Sequence, residues 1–219
     1  YWGNSVNRYR NILLSSMGEI LMDGNGACGG GSGAQCYAID ALGNGYMGGK
    51  AVCLYSIYKC GPDGIHLWSF EIPTNMPQSS LNDQVNRIVI DDNGYIYATG
   101  RHYVLDTIGP SISNADILTV KLDTTGNLIW SHRYSGEGGS SYENGYGLHV
   151  EPDGHVLISG NATWMNPDLV YTYLALLLSP SGDLITTVNF DESDTEKCAW
   201  SIMGDSDEMF LTGQLIDAN

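Results

Sequence analysis

The sequence predicts an all-β fold, a β-propeller built of four-stranded antiparallel blades, and three observations carry that expectation. A small unit recurs eight times along the 219 residues: an apolar run, a polar turn closed by glycine or its stand-in, and a second apolar run. The units alternate strictly between two types. Helical periodicity is sustained nowhere, since no segment holds an i, i+3, i+4, i+7 pattern for three turns.

The turn residues are Gly18, Gly43, Gly64, Gly94, Gly126, Gly154, Gly182 and Asp207. Units of the first type read YAIDALGNGYMGG, IVIDDNGYIYATG, LHVEPDGHVLISG and SIMGDSDEMFLTG, and end at Gly49, Gly100, Gly160 and Gly213. Units of the second type read KCGPDGIHLW, KLDTTGNLIW and LLSPSGDLIT, with Trp68, Trp130 and Thr186 four residues after the turn glycine. The opening LLSSMGEILMDG matches the second type. Each unit reads as a β-hairpin: runs rich in Val, Ile, Leu and Tyr around an Asp/Asn/Ser/Gly turn. Glycine at the anchor suits a turn position with positive φ, and Asp207 is a tolerable stand-in because Asp visits that region more readily than most residues.

Two hairpins make a four-stranded sheet, and one recurrence spans about 50 to 60 residues, the period of a propeller blade. First-type strands are apolar on both faces, as at Ile88, Val89 and Ile90 or Ile96, Tyr97 and Ala98, which suits sheets covered on both sides. A sandwich would show cleaner alternation with one wet face. The chain opens on a second-type hairpin and closes on a first-type one. The expected organisation is therefore a single domain over 1–219, with blades near 36–72, 87–136 and 147–190 and a fourth assembled from 1–25 and 198–217. Such a ring removes exposed sheet edges between blades. The alternative is a fragment of a larger propeller, which would show the same half-blades.

IVIDDNGYIYATG followed by ADILTVKLDTTGNLIWSHRYSG resembles the bacterial SBBP-type β-propeller repeat, most fully over 84–136 and in part over 36–72 and 146–190. There, an inner hairpin ending in a threonine-glycine pair precedes an outer hairpin of the form Lys-Leu-Asp, turn, Gly-Asn, aliphatic, Trp. The second-type unit is also similar to the tryptophan-docking repeat of quinoprotein-like propellers. The resemblance implies a secreted or surface scaffold, adhesion module or binding platform. It does not by itself imply an activity.

Composition narrows the partners. Lys and Arg number 9 against 25 Asp and Glu, a formal charge of −16. Nucleic-acid and anionic-membrane binding rely on clustered Lys and Arg, so neither is expected. No window of 18 apolar residues occurs, so no helical membrane insertion is expected either. A chain of this size buries roughly 70% of its unfolded surface and needs no covalent staple to fold.

Four of the five cysteines, Cys28, Cys36, Cys53 and Cys60, lie within 33 residues, and Cys198 sits near the expected ring closure. None has metal-knuckle or CxxC spacing, so the cysteines suggest disulfides and an oxidising, extracellular or cell-surface setting. Cys28 and Cys36 flank the GGGSGAQ loop and can pair across it. Cys53 and Cys60 would stand over 20 Å apart along an extended strand. Without a bend between them, Cys60, aligned with Leu122 and Leu178, is a buried apolar substitute. Asn161 begins an Asn-Ala-Thr sequon expected in a solvent loop after Gly160, making it the glycosylation candidate.

Candidate chemistry is sparse. Asp40, Asp91, Asp92, Asp205, Asp207 and the MDGNG stretch at Met22–Gly26 carry turn carboxylates, so calcium is a possible cofactor. No turn completes a calcium-loop pattern, and Asx-turn capping accounts for the same residues. Asp191, Glu192, Asp194 and Glu196 read as a solvated acidic loop. His66, His102, His132, His149 and His155 form no HExxH motif, and no GxSxG accompanies them. Gly29–Gly33 lacks the Lys-Ser/Thr of a phosphate loop. The second-type turns approach a sialidase Asp-box, but their glycine-to-tryptophan spacing is one residue too long. Arg8, Arg10, Arg87, Arg101 and Arg133 are the only arginines from which a sialidase triad could come. Trp68 and Trp130 share one register and read as blade-packing residues. Tyr58, Tyr95, Tyr97, Tyr103, Tyr142, Tyr146, Tyr171 and Tyr173 cluster by blade and suit sugar stacking or a protein interface.

No catalytic residue is therefore assigned. The expected function is a noncatalytic extracellular propeller acting as a structural scaffold or self-assembly module, its partner a protein or a second copy, as in a surface appendage or filament. A carbohydrate-binding or glycoside-processing propeller, with a glycan as partner, is the alternative.

Overall fold

A computed structural model of the chain describes residues 11–14, 20–24, 34–51, 54–72, 83–105, 113–136, 141–166, 168–191, 195–203 and 209–217. Among these residues all regular structure is strand. A first hairpin pairs β1 (Asn11–Leu14) with β2 (Ile20–Gly24). Three four-strand meanders follow. Sheet one is β3 (Ala34–Ile39), β4 (Gly45–Ala51), β5 (Leu54–Cys60) and β6 (His66–Glu71). Sheet two is β7 (Gln84–Ile90), β8 (Ile96–Leu105), β9 (Ser113–Leu122) and β10 (Leu128–Tyr134). Sheet three is β11 (Ser141–Val150), β12 (Val156–Asn166), β13 (Asp168–Leu178) and β14 (Leu184–Asp191). A last hairpin pairs β15 (Thr195–Met203) with β16 (Met209–Asp217). All pairing within the sheets is antiparallel, and one parallel bridge, Tyr142 to Ala115, joins sheet three to sheet two.

The turns form as their residues dictate. In Asp91–Tyr95 the Asp91 Oδ1 accepts the N–H groups of Asn93 and Tyr95, each at 2.9 Å, while Gly94 N–H donates to Asp91 O at 2.9 Å. Asp40 and Asp123 cap their turns in the same way. These carboxylates are thus engaged in Asx capping. Thr125 and Asn127 donate to Asp123 and hold its carboxyl well below the usual carboxylate range. The described turn glycines, from Gly43 to Gly182, all have positive φ, between 77° and 91°. Gly18 and Asp207 lie outside the described residues.

The sheets stack face to face. β7 packs against β3, β4 and β5, β11 packs against β7, β8 and β9, and β15 packs against β11, β12 and β13. Period-two geometry sends alternate residues of β8 to opposite neighbours. Ile96 and Ala98 join Tyr55, Ile57 and Ile88 in the core between sheets one and two, whereas Tyr97 joins Leu148, Ile158 and Leu176 between sheets two and three. Each such fully buried aliphatic side chain contributes about 1.5–3 kcal/mol of transfer free energy.

Two details of the repeat explain its residue choices. The first strand of each sheet is irregular, with register shifts at Ala34/Cys36, Val85/Arg87 and Gly145/Gly147. The irregularity brings backbone onto the closing glycine of the next strand: a Cβ on Gly100 would lie 2.0 Å from Gln84 O, and one on Gly160 2.1 Å from Asn144 O. On the outside, the second-type tryptophan docks on the following sheet. A Cβ on Gly126 would meet Trp68 Cδ2 at 2.8 Å, one on Gly182 would meet Trp130 Cδ2 at 2.6 Å, and Trp130 Nε1–H donates to Pro180 O at 3.0 Å. Each of these tryptophans also meets a tyrosine edge to face, Tyr46 at 6.0 Å and Tyr97 at 6.1 Å.

Several expectations change. The strands of the second and third sheets begin earlier than expected, at Gln84 and Ser141 rather than 87 and 147, because the first strand pairs on through its irregularity. Asn161 is not in a loop. It lies inside β12, paired to Asn144 of β11 and Tyr173 of β13, with its Oδ1 buried, because β12 continues six residues beyond Gly160. Cys36 is a free thiol, so the pairing with Cys28 is not made. Its Sγ lies 3.6 Å from Gly48 O and 3.7 Å from Val85 O, and burial pushes its pKa up to about 12. Cys60 is buried against Met47, as Leu122 and Leu178 are buried in their own sheets, and it is disulfide-bonded. The side chains of Cys28, Cys53 and Cys198 lie outside the described residues, as do Asp205, Asp207, Gly29–Gly33, Glu192 and Asp194.

Replacing Gly182 with alanine strains a positive-φ turn and drives a methyl group into Trp130. The expected loss is about 2–4 kcal/mol in urea unfolding. In the double variant Gly182→Ala/Trp130→Ala the two losses should add to less than their sum, because the clash is gone. Strict additivity would show that the tryptophan and the glycine turn are not coupled.

Candidate functional site

Every meander has two ends. The glycine turns cluster at one, and the opposite, open end carries the buried ionisable groups. In sheet two, His102 on β8 stands opposite Asp116 on β9. Its Nδ1 lies 2.9 Å from Oδ2 of the fully buried Asp83, whose Oδ1 accepts the Tyr103 N–H at 2.6 Å. In the tautomer that donates Nδ1–H to Asp83, Nε2 is left as a lone-pair acceptor, the arrangement that orients an imidazole for proton transfer or ligand binding. Asp116 is buried, which raises its pKa, and Arg133, Ser135 and His102 pull it part of the way back. Arg133 Nε lies 3.1 Å from Asp116 Oδ2.

The other face of β8 builds a second constellation toward sheet three. The Arg101 guanidinium lies 5.4 Å from the Tyr103 ring and 5.3 Å from the Tyr142 ring, within cation–π range of both. The two tyrosine hydroxyls are hydrogen-bonded, and burial, then that bond, push the Tyr142 hydroxyl pKa up. Beside them, Asn86 Nδ2 donates to Asn144 Oδ1 and to Gly145 O, each at 2.7 Å, and Asn144 Nδ2 donates to Tyr146 Oη at 2.8 Å. The buried Glu143 accepts the Gly136 N–H at 3.1 Å. The open end is therefore a polar seam across sheets two and three. It holds an oriented imidazole, an arginine between aromatic rings and several amide groups, chemistry suited to a polar, hydroxyl-rich ligand.

The outer strands carry the opposite character. β6, β10 and β14 end their sheets, and each pairs with a neighbour on one side only among the described residues. Their turn ends expose apolar side chains, and the third residue after the turn glycine is exposed and apolar in each, Leu67 (52%), Ile129 (48%) and Ile185 (51%), with Ile65 (61%), Leu128 (46%) and Leu184 (42%) beside them.

Of the residues singled out from sequence, Tyr103, Tyr142 and Tyr146 converge at the open end. Trp68 and Trp130 pack between sheets, as their shared register suggested. Asn161 and the cysteines form no common site among the described residues. Sequence spacing alone leaves His102 as one of five scattered histidines. The signal lay in the repeat: two residues past the closing glycine the other units hold Ala51, Ala162 and Leu215, so His102 is the one polar departure. Asp83 precedes its hairpin and had no pattern to mark it.

Removing the Arg133 side chain leaves Asp116 buried without its counter-charge. Arg133→Ala should cost about 1–3 kcal/mol at pH 7. Because the Asp116 pKa is already raised in the folded state, protonation relieves the penalty, so the loss should shrink as pH falls toward about 3. Urea unfolding at the two pH values checks this, and an equal loss at both would show that the pair carries no charge-dependent stability.

No protein-family model matches this chain, and no curated protein sequence matches it. Among solved structures it is similar to a protein of unknown function from Bacteroides caccae, with 12% identity, a TM-score of 0.42, and coverage of 83% of this chain and 75% of that one. It is also similar to a catalytically inactive virginiamycin B lyase from Staphylococcus aureus crystallised with quinupristin, with 12% identity and a TM-score of 0.47. That similarity covers 96% of this chain and 57% of the lyase.

Proposed function

We propose that this chain is a noncatalytic interaction scaffold, a four-bladed β-propeller in which β15–β16 and β1–β2 complete one blade, working outside the cell or on its surface as part of an assembly. The observation that carries this reading is the apolar side chain exposed three residues after the turn glycine in all three sheets, Leu67, Ile129 and Ile185. Singly exposed leucines are ordinary, whereas a periodic set on three parallel-mounted sheets forms a platform that a protein partner can cover. The bonded Cys60 supports an oxidising compartment. The sheets bury apolar residues on both faces, which supports continuation of the stack into a ring.

A second reading, a carbohydrate-binding or glycoside-processing propeller, rests on the open end, where Arg101, Tyr103 and Tyr142 pack together on one face of β8 and the oriented His102 lies on the other. Aromatic faces and amide groups suit sugar recognition.

The test of the first reading is the triple variant Leu67→Ser, Ile129→Ser and Ile185→Ser. These side chains are exposed, so the melting temperature should change little. Association of the protein, read by sedimentation velocity and by retention on the producing cell, should be lost. Association that persists unchanged in the triple variant would overturn the scaffold reading through this surface.

A further inference from the structure

Two rings of β10 hold the turn of the next sheet. Trp130 and His132, two residues apart, point to the same side of the strand, the side on which Trp130 and Tyr134 pack into the core shared with sheet three. Both rings lie on the turn that joins β13 to β14. Trp130 Nε1–H donates to Pro180 O at 3.0 Å and the indole covers Gly182, while the His132 ring hydrogen-bonds the Gly182 backbone with Asp183 close enough to act on its charge. The turn itself is closed by Gly182 N–H to Ser179 O at 2.9 Å and Ser179 N–H to Asp183 O at 2.8 Å.

The junction between sheets one and two is built alike except at this position. Six residues after the turn glycine, where sheet two has His132, sheet one has Phe70 and sheet three Val188. Phe70 packs with Trp68 and Ile72 against the core between sheets one and two, and a phenyl ring takes no proton. His132 alone among the three can gain a positive charge, and it would do so half-buried. The neighbouring elements turn two charged groups to this side: Asp183 from the turn, and Lys121 of β9, which pairs with Trp130 and lies over the Tyr95 and Tyr97 rings. Arg133 points the other way, to Asp116. Burial holds the His132 pKa below its ordinary value, and the Gly182 backbone and Asp183 oppose that shift without cancelling it. The folded chain therefore takes up this proton less readily than the unfolded chain. The contribution of the ring to stability is complete above about pH 6.5 and declines as pH falls below it.

We propose that His132 makes the junction between sheets two and three acid-sensitive: as the half-buried ring charges, β10 loosens its hold on the Ser179–Asp183 turn, while the junction between sheets one and two keeps its own. Charging a histidine at a packed interface is a general way to switch that interface. The inference goes beyond the scaffold reading and does not depend on it. Its consequence for that reading is regulation, since β10 and β14 carry Ile129 and Ile185.

The experiment is amide hydrogen exchange read by NMR at about pH 7.5 and about pH 5, corrected for the intrinsic effect of pH on exchange. In the wild-type protein, opening at the Ser179 and Gly182 amides should rise several-fold at the lower pH. Opening at Asp123 and Gly126, the same positions in the turn held by Trp68, should rise less, and this comparison needs no variant. His132→Phe, which copies the residue of sheet one, should abolish the difference between the two turns. The His132 ring protons should titrate with a midpoint below about 6.5. An equal acid response at both turns of the wild type, a difference that survives in His132→Phe, or a midpoint at or above that of a free imidazole would each overturn the proposal.

Discussion

The structure depends on burying both faces of each sheet against its neighbours. A four-stranded meander with two apolar faces cannot stand alone in water, so the hairpins are stable only as a stack. The contact that sets the spacing recurs at fixed register: the outer tryptophan of one sheet lies on the glycine turn of the next, Trp68 on Gly126 and Trp130 on Gly182. That contact requires the absence of a Cβ at the turn, and the turn requires positive φ at the same residue. One glycine thus answers two constraints, one local and one between sheets. The closing glycines answer a third, leaving room for the Gln84 and Asn144 carbonyls of the irregular inner strand.

This division of labour separates the two ends of the molecule. At the turn end, Asp40, Asp91 and Asp123 spend their carboxylates on backbone N–H groups, and the chain reverses within five residues. At the open end the strands outrun the apolar core, so polar side chains must satisfy one another. Asp83, His102, Asp116 and Arg133 do so across four adjacent strands or strand ends of one sheet, while Arg101, Tyr103 and Tyr142 do so between two sheets. The exposed apolar side chains among the described residues lie on the outer strands and their turns and on β3 with its turn, at Tyr37, Ile39 and Leu42.

Much of this was legible in the sequence, because a repeat states its own register. Hairpin positions, positive-φ turns, Asx capping and the docking role of Trp68 and Trp130 all follow from aligning eight copies. What the alignment hid was the departure from it. Asn161 looked like a loop residue because the unit ends at Gly160, yet the ladder with β11 and β13 carries the strand on to Asn166. Cys36 looked like half of a loop disulfide, yet its strand turns the thiol into the core beside Gly48 and Val85. The His102 dyad needed Asp83, which lies outside the repeated unit, and only the pairing of β7 with β8 brings the two together.

The central proposal is that the repeat closes on itself, the hairpin β1–β2 completing the sheet begun by β15–β16, although among the described residues these are two separate two-stranded sheets. Adjacent strands in one sheet lie about 5 Å apart. Spin labels introduced through non-canonical residues at positions 13 on β1 and 211 on β16 would then fall within about 20 Å, the range of dipolar broadening in continuous-wave spectra. The account predicts pronounced broadening in the doubly labelled protein that disappears on unfolding in urea. A doubly labelled spectrum equal to the sum of the two singly labelled ones would contradict it.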